Sequence, residues 1–275
     1  MSLSVFLAIT YPAWAEQKPG GIVSIGGSVT EIIYALGAGD RLIARDTTSS
    51  YPAEAEALPD VGYVRALSPE GVLSVGPDLI IAEDGAGPPE TIAVLESGGI
   101  PFITVPDDHT AAGISAKILA VGRAIDEEKD AIALAANLRD RLGKVPAAPA
   151  QSAEPRRVMF ILSTQGGRIM ASGTGTAAAS MIEMAGGENA VTAFAGYKPI
   201  TDEAVIAAAP DAILMMEREG DHDSSVEELL AMPSISTTPA AARRAVIRMD
   251  GLYLLGFGPR TAEAVADLNA ALYGG

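Results

Sequence analysis

Tyr63 and Arg65 lie two positions apart in the stretch Leu58–Asp78, LPDVGYVRALSPEGVLSVGPD. Read as extended chain, this Tyr-x-Arg puts both side chains on one face, because strand side chains alternate. A guanidinium beside a phenol favours the phenolate and lowers its pKa. A phenolate is a hard, anionic ligand of the kind that holds ferric iron. The same pair also reads as an ordinary loop tyrosine packed on a turn beside a solvated arginine. After it comes Ser68-Pro69-Glu70, a helix start with a hydroxyl cap, a proline in the first turn and an acid where the helix dipole favours one.

Catalytic groups are sparse. The chain has two histidines, His109 and His222, and neither lies near a Gly-x-Ser-x-Gly elbow, which is absent. There is no cysteine, hence no thiol nucleophile, no cysteine zinc site and no disulfide. Two histidines and no histidine-rich loop argue against zinc capture. Glu83-Asp84 reads as a solvated strand end rather than a hydrolytic pair. No P-loop is present, and Gly26-Gly27-Ser28 falls short of a dinucleotide fingerprint. A two-lobed enzyme would need a convergent acid/base pair, and a cell-surface interaction module an exposed apolar patch. Binding is the reading that needs least.

The formal net charge of -16 argues against nucleic acid and an anionic membrane surface as partners, while leaving room for a small anion held by local arginines. With 275 residues, 48% hydrophobic and 20% charged, the chain can bury two sizeable cores. Leu3–Thr10, LSVFLAIT, followed by Ala13-Trp14-Ala15 before Glu16, reads as the tail of a secretory signal whose basic start is missing. It predicts a periplasmic protein, not lipid-anchored because no cysteine is available.

Short apolar strands alternate with helices: Ile22–Ile25, then Val29–Leu36; Leu79–Ala82, then Thr91–Glu96; Pro101–Val105; Val158–Leu162; Ile213–Met216; Val246–Met249; and a last helix, Thr261–Leu272. Residues 110–145 carry only helical spacing, with a polar break at Asp126-Glu127-Glu128, and read as one long helix with a kink there. An internal repeat aligns Ser68–Ala82, SPEGVLSVGPDLIIA, with Thr201–Met215, TDEAVIAAAPDAILM, and more loosely Gly27–Ile43 with Gly175–Val191. The expected fold is α/β: two Rossmann-like lobes with mostly parallel sheets, joined by one long helix, with a cleft between them. The expected boundaries are 1–21 for the leader and N-terminus, 22–109 for the first lobe, 110–145 for the helix, 146–155 for a linker and 156–275 for the second lobe. Loops at the strand C-termini would line the cleft with Gly27, Asp46, Tyr63, Arg65, Gln165, Arg168, Tyr197 and Arg218. Such a cleft suits a porphyrin, which offers an apolar face, an iron with an open axial position and two propionates. Tyr63 can ligate the iron, Arg65 can polarise the ligand, and Arg168 or Arg218 can meet propionates.

Three segments, GGSVTEIIYALGAGDRLIARD, LPDVGYVRALSPEGVLSVGPDLIIA and MDGLYLLGFGPRTAEAV, resemble the periplasmic haem-binding proteins of bacterial haem ABC importers, over a span from about Ile22 to the end. The resemblance implies a non-enzymatic carrier with two lobes bridged by a long helix and Tyr63 as the axial iron ligand. It implies Arg65 beside that ligand or a propionate, and Arg218 as the second-lobe arginine reaching haem b. It implies Glu70 and Glu203 as paired acids that dock on arginines of an inner-membrane permease with its ATPase. The carrier would be a monomer downstream of an outer-membrane haem receptor. Some relatives have a histidine where this chain has Thr164-Gln165, so a five-coordinate or water-completed iron is expected. Cobalamin or a ferric siderophore is the alternative cargo of the same architecture.

Overall fold

The structure, a computed structural model, describes residues 20–145, 154–217 and 225–274. The leader through residue 19, linker residues 146–153 and the loop carrying Arg218 and His222 lie outside the described residues.

The first lobe is built on a four-stranded, all-parallel sheet of order β2-β1-β3-β4. Its strands are β1 (Ile22–Ile25), β2 (Leu42–Arg45), β3 (Leu79–Glu83) and β4 (Phe102–Val105), with helices α1 (Gly27–Ala35), α2 (Pro69–Leu73) and α3 (Pro89–Ser97). The second lobe holds β5 (Arg157–Ser163), β6 (Ile169–Ser172), β7 (Glu188–Asn189), β8 (Tyr197–Ile200), β9 (Ala212–Met216) and β10 (Val246–Met249). Its sheet is mixed: β10, β9, β5 and β7 run parallel, while β6 and β8 add an antiparallel edge. Its helices are α6 (Ala177–Met184), α7 (Asp202–Ala208), α8 (Val226–Ala231), α9 (Pro233–Ser236), α10 (Pro239–Arg243), α11 (Gly251–Leu255) and α12 (Thr261–Tyr273).

The sequence repeat is a structural one. β1 is flanked by β2 and β3, with β4 outside β3; β5 is flanked by β7 and β9, with β10 outside β9. The aligned segments fall on α2–β3 and α7–β9, and each helix is capped by the aligned hydroxyl. Ser68 Oγ accepts the Gly71 N–H at 3.0 Å and Thr201 Oγ1 the Ala204 N–H at 3.2 Å. The second lobe differs by its β6–β8 insertion.

Residues 110–145 form two helices rather than one: α4 (Ala111–Ala124) and α5 (Glu128–Leu142). Asp126 takes φ +59° between them, where the sequence reading placed a kink. The two helices then touch so closely that a Cβ on Gly122 would lie 2.3 Å from the Ala131 Cβ, so only glycine fits. α4 packs on α1 in the first lobe, and α5, about 22 Å long, carries the chain across to α12.

Strand alternation decides which side chains meet. Ile22 of β1 with Leu79 and Ile81 of β3, and Val158 and Phe160 of β5 with Ala212 and Leu214 of β9, point to one shared core. Ile114, Ile118 and Val121 of α4, Leu138 of α5, Met181 and Ile182 of α6, and Leu268 of α12 complete it. The intervening strand residues face separate outer cores, Val23 and Ile80 in one lobe, Met159 and Ile213 in the other. Each strand is therefore apolar on both faces, as buried parallel strands are. The lobes are continuous through their central core.

Candidate functional site

The Tyr63 loop is a turn, not extended chain. The Ala66 N–H reaches back to the Tyr63 carbonyl at 2.7 Å, with Val64 and Arg65 at the corner. This corrects the expectation that strand alternation sets Tyr63 and Arg65 on one face. The turn sits on a built pedestal. Gly62, at φ +107°, turns the chain where a side chain would be strained. Its N–H donates to Asp60 Oδ1 at 2.8 Å, its carbonyl accepts the Thr47 N–H at 3.0 Å, and Asp60 pairs with Arg45 at 2.9 Å. Val61 and Leu67 are buried on either side, and Val64 and Leu67 exchange backbone hydrogen bonds with Gly87 at 2.9 Å each. Tyr63 itself stands out from this anchored base with 47% of its surface exposed. Neither its hydroxyl nor the exposed Arg65 guanidinium has a hydrogen-bond or ion-pair partner among the described residues.

Tyr197 lies in the second lobe, on the inserted strand β8. Its ring packs edge-on to Phe160 at 6.1 Å, and its hydroxyl is reached by the Ala178 N–H and the Thr176 hydroxyl at the start of α6. Burial pushes the Tyr197 phenol up, against those two donors and the positive charge of Arg65. The Arg65 charge of the first lobe is thus felt, as the weakest of these effects, at Tyr197 of the second. Arg168 is exposed beside β6, just after the tip formed by Gly166 and Gly167 at φ +66° and +75°. Gln165 is exposed on the same tip.

Two expected cleft residues face elsewhere. Gly27 is buried in the lobe junction: a Cβ there would lie 2.4 Å from Leu252 Cδ1 and 2.7 Å from the Thr48 carbonyl. It serves close packing of α11 on α1 and presents no surface to a ligand. Asp46 is fully buried, accepting the Gly26 N–H at 2.9 Å, the Thr48 N–H at 2.9 Å and the Ser49 hydroxyl at 2.7 Å. It organises the loop instead of lining the cleft.

The junction beneath the cleft holds two buried ionic clusters. Glu31 of α1, 5% exposed, accepts the Arg260 N–H on Oε1 and the Arg260 Nε–H on Oε2, both at 3.0 Å. Burial pushes the Glu31 carboxyl up and the Arg260 contacts pull it back. The guanidinium also lies 3.5 Å from the centre of the Tyr51 ring. The second cluster centres on Lys117 of α4, which is fully buried and reaches Glu83 Oε1 at 2.5 Å, Asp107 Oδ1 at 2.8 Å and Ser28 Oγ at 2.9 Å. Burial works to raise the Asp107 carboxyl, but the His109 hydrogen bond and Lys117 together bring it down to about 2. Glu83 goes the other way, because its greater burial outweighs the same lysine. His109 closes the chain, 3.4 Å from Asp107 and with its ring 4.8 Å from that of Phe257 in the other lobe.

The periplasmic binding protein family profile matches residues 22–252 of this chain. The chain belongs to that family. Two solved structures share its fold over nearly its whole length. The periplasmic haem-binding protein BhuT, in complex with two haems, is 38% identical with a TM-score of 0.86, covering 91% of this chain and 97% of that one. The haem-binding protein RhuT of Roseiflexus sp. RS-1, in apo form, is 36% identical with a TM-score of 0.88, covering 93% and 98%. The vitamin B12-binding protein of Yersinia pestis is 26% identical over 217 residues, 78% of this chain and 75% of its own length.

Periplasmic binding proteins bind and hand over a substrate without transforming it, and their setting is extracytoplasmic, with an ABC permease as partner. Among the described residues no helix is long and apolar enough to cross a membrane. Glu70 and Glu203 sit exposed in the first turns of α2 and α7, at repeat-related positions. Glu203 is held below the usual carboxylate range by its own backbone N–H and the Thr201 hydroxyl. Sequence reasoning missed Tyr51, Arg260, Glu31 and Lys117. The signal for the last two was a charged residue inside an otherwise apolar helical face, Val29-Thr30-Glu31-Ile32-Ile33 and Ile114-Ser115-Ala116-Lys117-Ile118.

Proposed function

We propose that this periplasmic binding protein carries haem, binding ferric haem b through Tyr63 and delivering it to its permease and ATPase. The supporting observation is the Tyr63 turn: an exposed tyrosine whose hydroxyl has no partner among the described residues, raised on a pedestal fixed by Gly62 and Asp60. A metal ligand must be free in the empty state and held in place, and Tyr63 meets both conditions. Arg65 and Arg168, exposed and without ion-pair partners among the described residues, suit the propionates, with Arg218 as a third candidate. Tyr197, tied to the start of α6, contributes an aromatic edge to the opposite wall. Thr164-Gln165 offers no imidazole, which favours one protein ligand on the iron. Glu70 and Glu203 form the docking pair for permease arginines. The carrier works in the periplasm as a monomer, downstream of an outer-membrane haem receptor.

An absorbance titration with ferric haem, beside Tyr63→Ala and Tyr63→Phe, tests this. A saturable Soret band with a tyrosinate charge-transfer feature, lost in both variants, is the expected result, and the end point counts haems per chain. Unchanged spectra in the variants would move the ligand elsewhere, and no specific band would remove haem as cargo. Cobalamin is the second reading, favoured by the Yersinia pestis relative. The periphery of cobalamin is amides rather than carboxylates, so it would leave Arg65 and Arg168 without anionic partners. Competition with cyanocobalamin separates the two.

A further inference from the structure

Tyr51 and Tyr63 are the tyrosines among the large apolar side chains left exposed, at 43% and 47%. Their loops are joined: the Thr47 N–H donates to the Gly62 carbonyl at 3.0 Å, and the Thr47 hydroxyl to Asp60 Oδ1 at 3.1 Å. Both therefore emerge from one hydrogen-bonded platform at the C-terminal edge of the first sheet. Tyr51 is held differently from Tyr63. One face of its ring lies against the Arg260 guanidinium at 3.5 Å, within the range of a strong cation–π contact. Arg260 comes from the other lobe and is itself fixed by two hydrogen bonds to buried Glu31. With Arg260 against it, the residue still keeps 43% of its surface exposed. An arginine clamped by a carboxylate is a rigid support, because its fork geometry leaves few rotamers.

We propose that Arg260 is a positioning residue for cargo: clamped by Glu31 across the lobe junction, it sets the Tyr51 ring flat as a second aromatic wall of the cleft, against which a planar macrocycle stacks. Cargo contact is then coupled to the lobe arrangement, since the wall on one lobe is supported by a side chain of the other. The inference rests on the carrier reading, but it requires only a flat aromatic or corrinoid ring and not an iron–tyrosine bond.

The test is a double-mutant cycle on binding of ferric haem. Tyr51→Phe is the conservative rescue: it keeps the ring and should recover the affinity that Tyr51→Ala loses. Tyr51→Ala should raise the Kd about 3- to 10-fold, the range of one aromatic stacking contact, with the Soret and charge-transfer bands unchanged because Tyr63 is untouched. Replacing the ion pair together, Glu31→Met with Arg260→Met, avoids leaving a lone buried charge. It should raise the Kd by a similar factor, and adding Tyr51→Ala to it should cost less than twofold more. Hydrogen exchange of the 47–52 amides should rise in the ion-pair variant and not in Tyr51→Phe. A Kd for Tyr51→Ala within twofold of wild type, or factors that multiply fully, would overturn the proposal. If the wild type forms no haem complex, the haem reading fails first, and the same cycle is run with cyanocobalamin as probe. Binding of neither overturns both.

Discussion

Lys117→Met is the substitution whose cost the structure fixes best. The lysine is fully buried on α4 and ties three elements at once: Glu83 at the end of β3, Asp107 after β4, and Ser28 at the start of α1. Its removal leaves two carboxylates facing each other, their side chains only 17% and 27% exposed. Breaking a buried ion pair from one side costs about 3–5 kcal/mol, because the remaining charge stays desolvated. At roughly 2–4 °C per kcal/mol for a chain of this size, the melting temperature should fall by roughly 6–20 °C. Methionine fills similar volume, so the loss reports charge rather than a cavity.

The pH dependence carries the sharper test. In the wild type Asp107 is held down to about 2, so its contribution is fully present above the ordinary aspartate range and is lost only as pH falls toward 2. Glu83 is already pushed up by burial and by Asp107, and without Lys117 it rises further. A carboxylate raised in the folded state stabilises below its unfolded pKa, and that benefit is lost as pH rises through the folded value. The variant should therefore be most deficient at pH 8 and recover toward pH 5, while the wild type contributes no slope from Asp107 in that window. His109 also lies against Asp107, so the comparison is repeated with His109→Gln. Thermal melts by circular dichroism at pH 5, 6, 7 and 8 read the result. Adding Glu83→Gln should restore much of the loss at pH 8. A deficit under about 2 °C, or one equal at pH 5 and pH 8, would refute the assignment of Lys117 as the charge that permits two buried carboxylates.

Two further outcomes follow from the lobe junction and the exposed acids. Gly27→Val drives a side chain into Leu252 and the Thr48 carbonyl, and should cost about 1–3 kcal/mol and lower the melting temperature while leaving the Tyr63 spectrum of the surviving folded protein intact; a neutral effect would show that the lobes can part there freely. Charge reversal at Glu70 or Glu203 should weaken docking on the permease about tenfold each, read as the protein concentration needed to stimulate its ATPase, with cargo affinity unchanged; equal stimulation by the double variant would exclude these acids from the docking face.

What was legible in the sequence is what short-range physics writes there. The strand Ile22–Ile25 and the cap-helix-strand units Ser68–Glu83 and Thr201–Met216 carry their signals within a dozen residues, and they fold as read. β6 and β8 were not legible: four residues each, and β8 contains Pro199, tolerated because it lies on the sheet edge. Helices α9 to α11, of four or five residues, are too short for a period to show. Tyr63-Val64-Arg65 alternates like a strand, and only the glycine before it hinted at a turn. The ionic clusters were out of reach for a different reason. Lys117 meets Ser28 across 89 residues and Arg260 meets Glu31 across 229, so neither partner can be inferred from spacing. Gly27 was read as a ligand-facing corner because its partner, Leu252, is equally remote.

The shared core bears on how such a carrier selects its cargo. Wide opening of the cleft would pull the α4–α5 and α11–α12 side chains off one another. Exposing even two or three of the buried Ile, Leu or Phe residues there costs on the order of 5 kcal/mol, before the Glu31–Arg260 and Lys117 clusters are counted. That is comparable to the whole stability of many domains. The core therefore favours nearly one lobe separation with or without cargo, and on the proposed reading recognition would rest on groups already in place: the Tyr63 phenol on its turn, Arg65 and Arg168, and the Tyr51 ring against Arg260. A preformed site of this kind avoids the ordering cost of closure and discriminates by what it cannot adjust to. Release must then come from outside. A permease engaging both lobes at their repeat-related acids, as proposed, would apply force across the junction, and the contacts spanning it include Arg260 on Glu31 and His109 on Phe257. Straining Arg260 would loosen Tyr51 as well, so if Tyr51 is the wall proposed above, prying the lobes apart would also take that wall from the cargo.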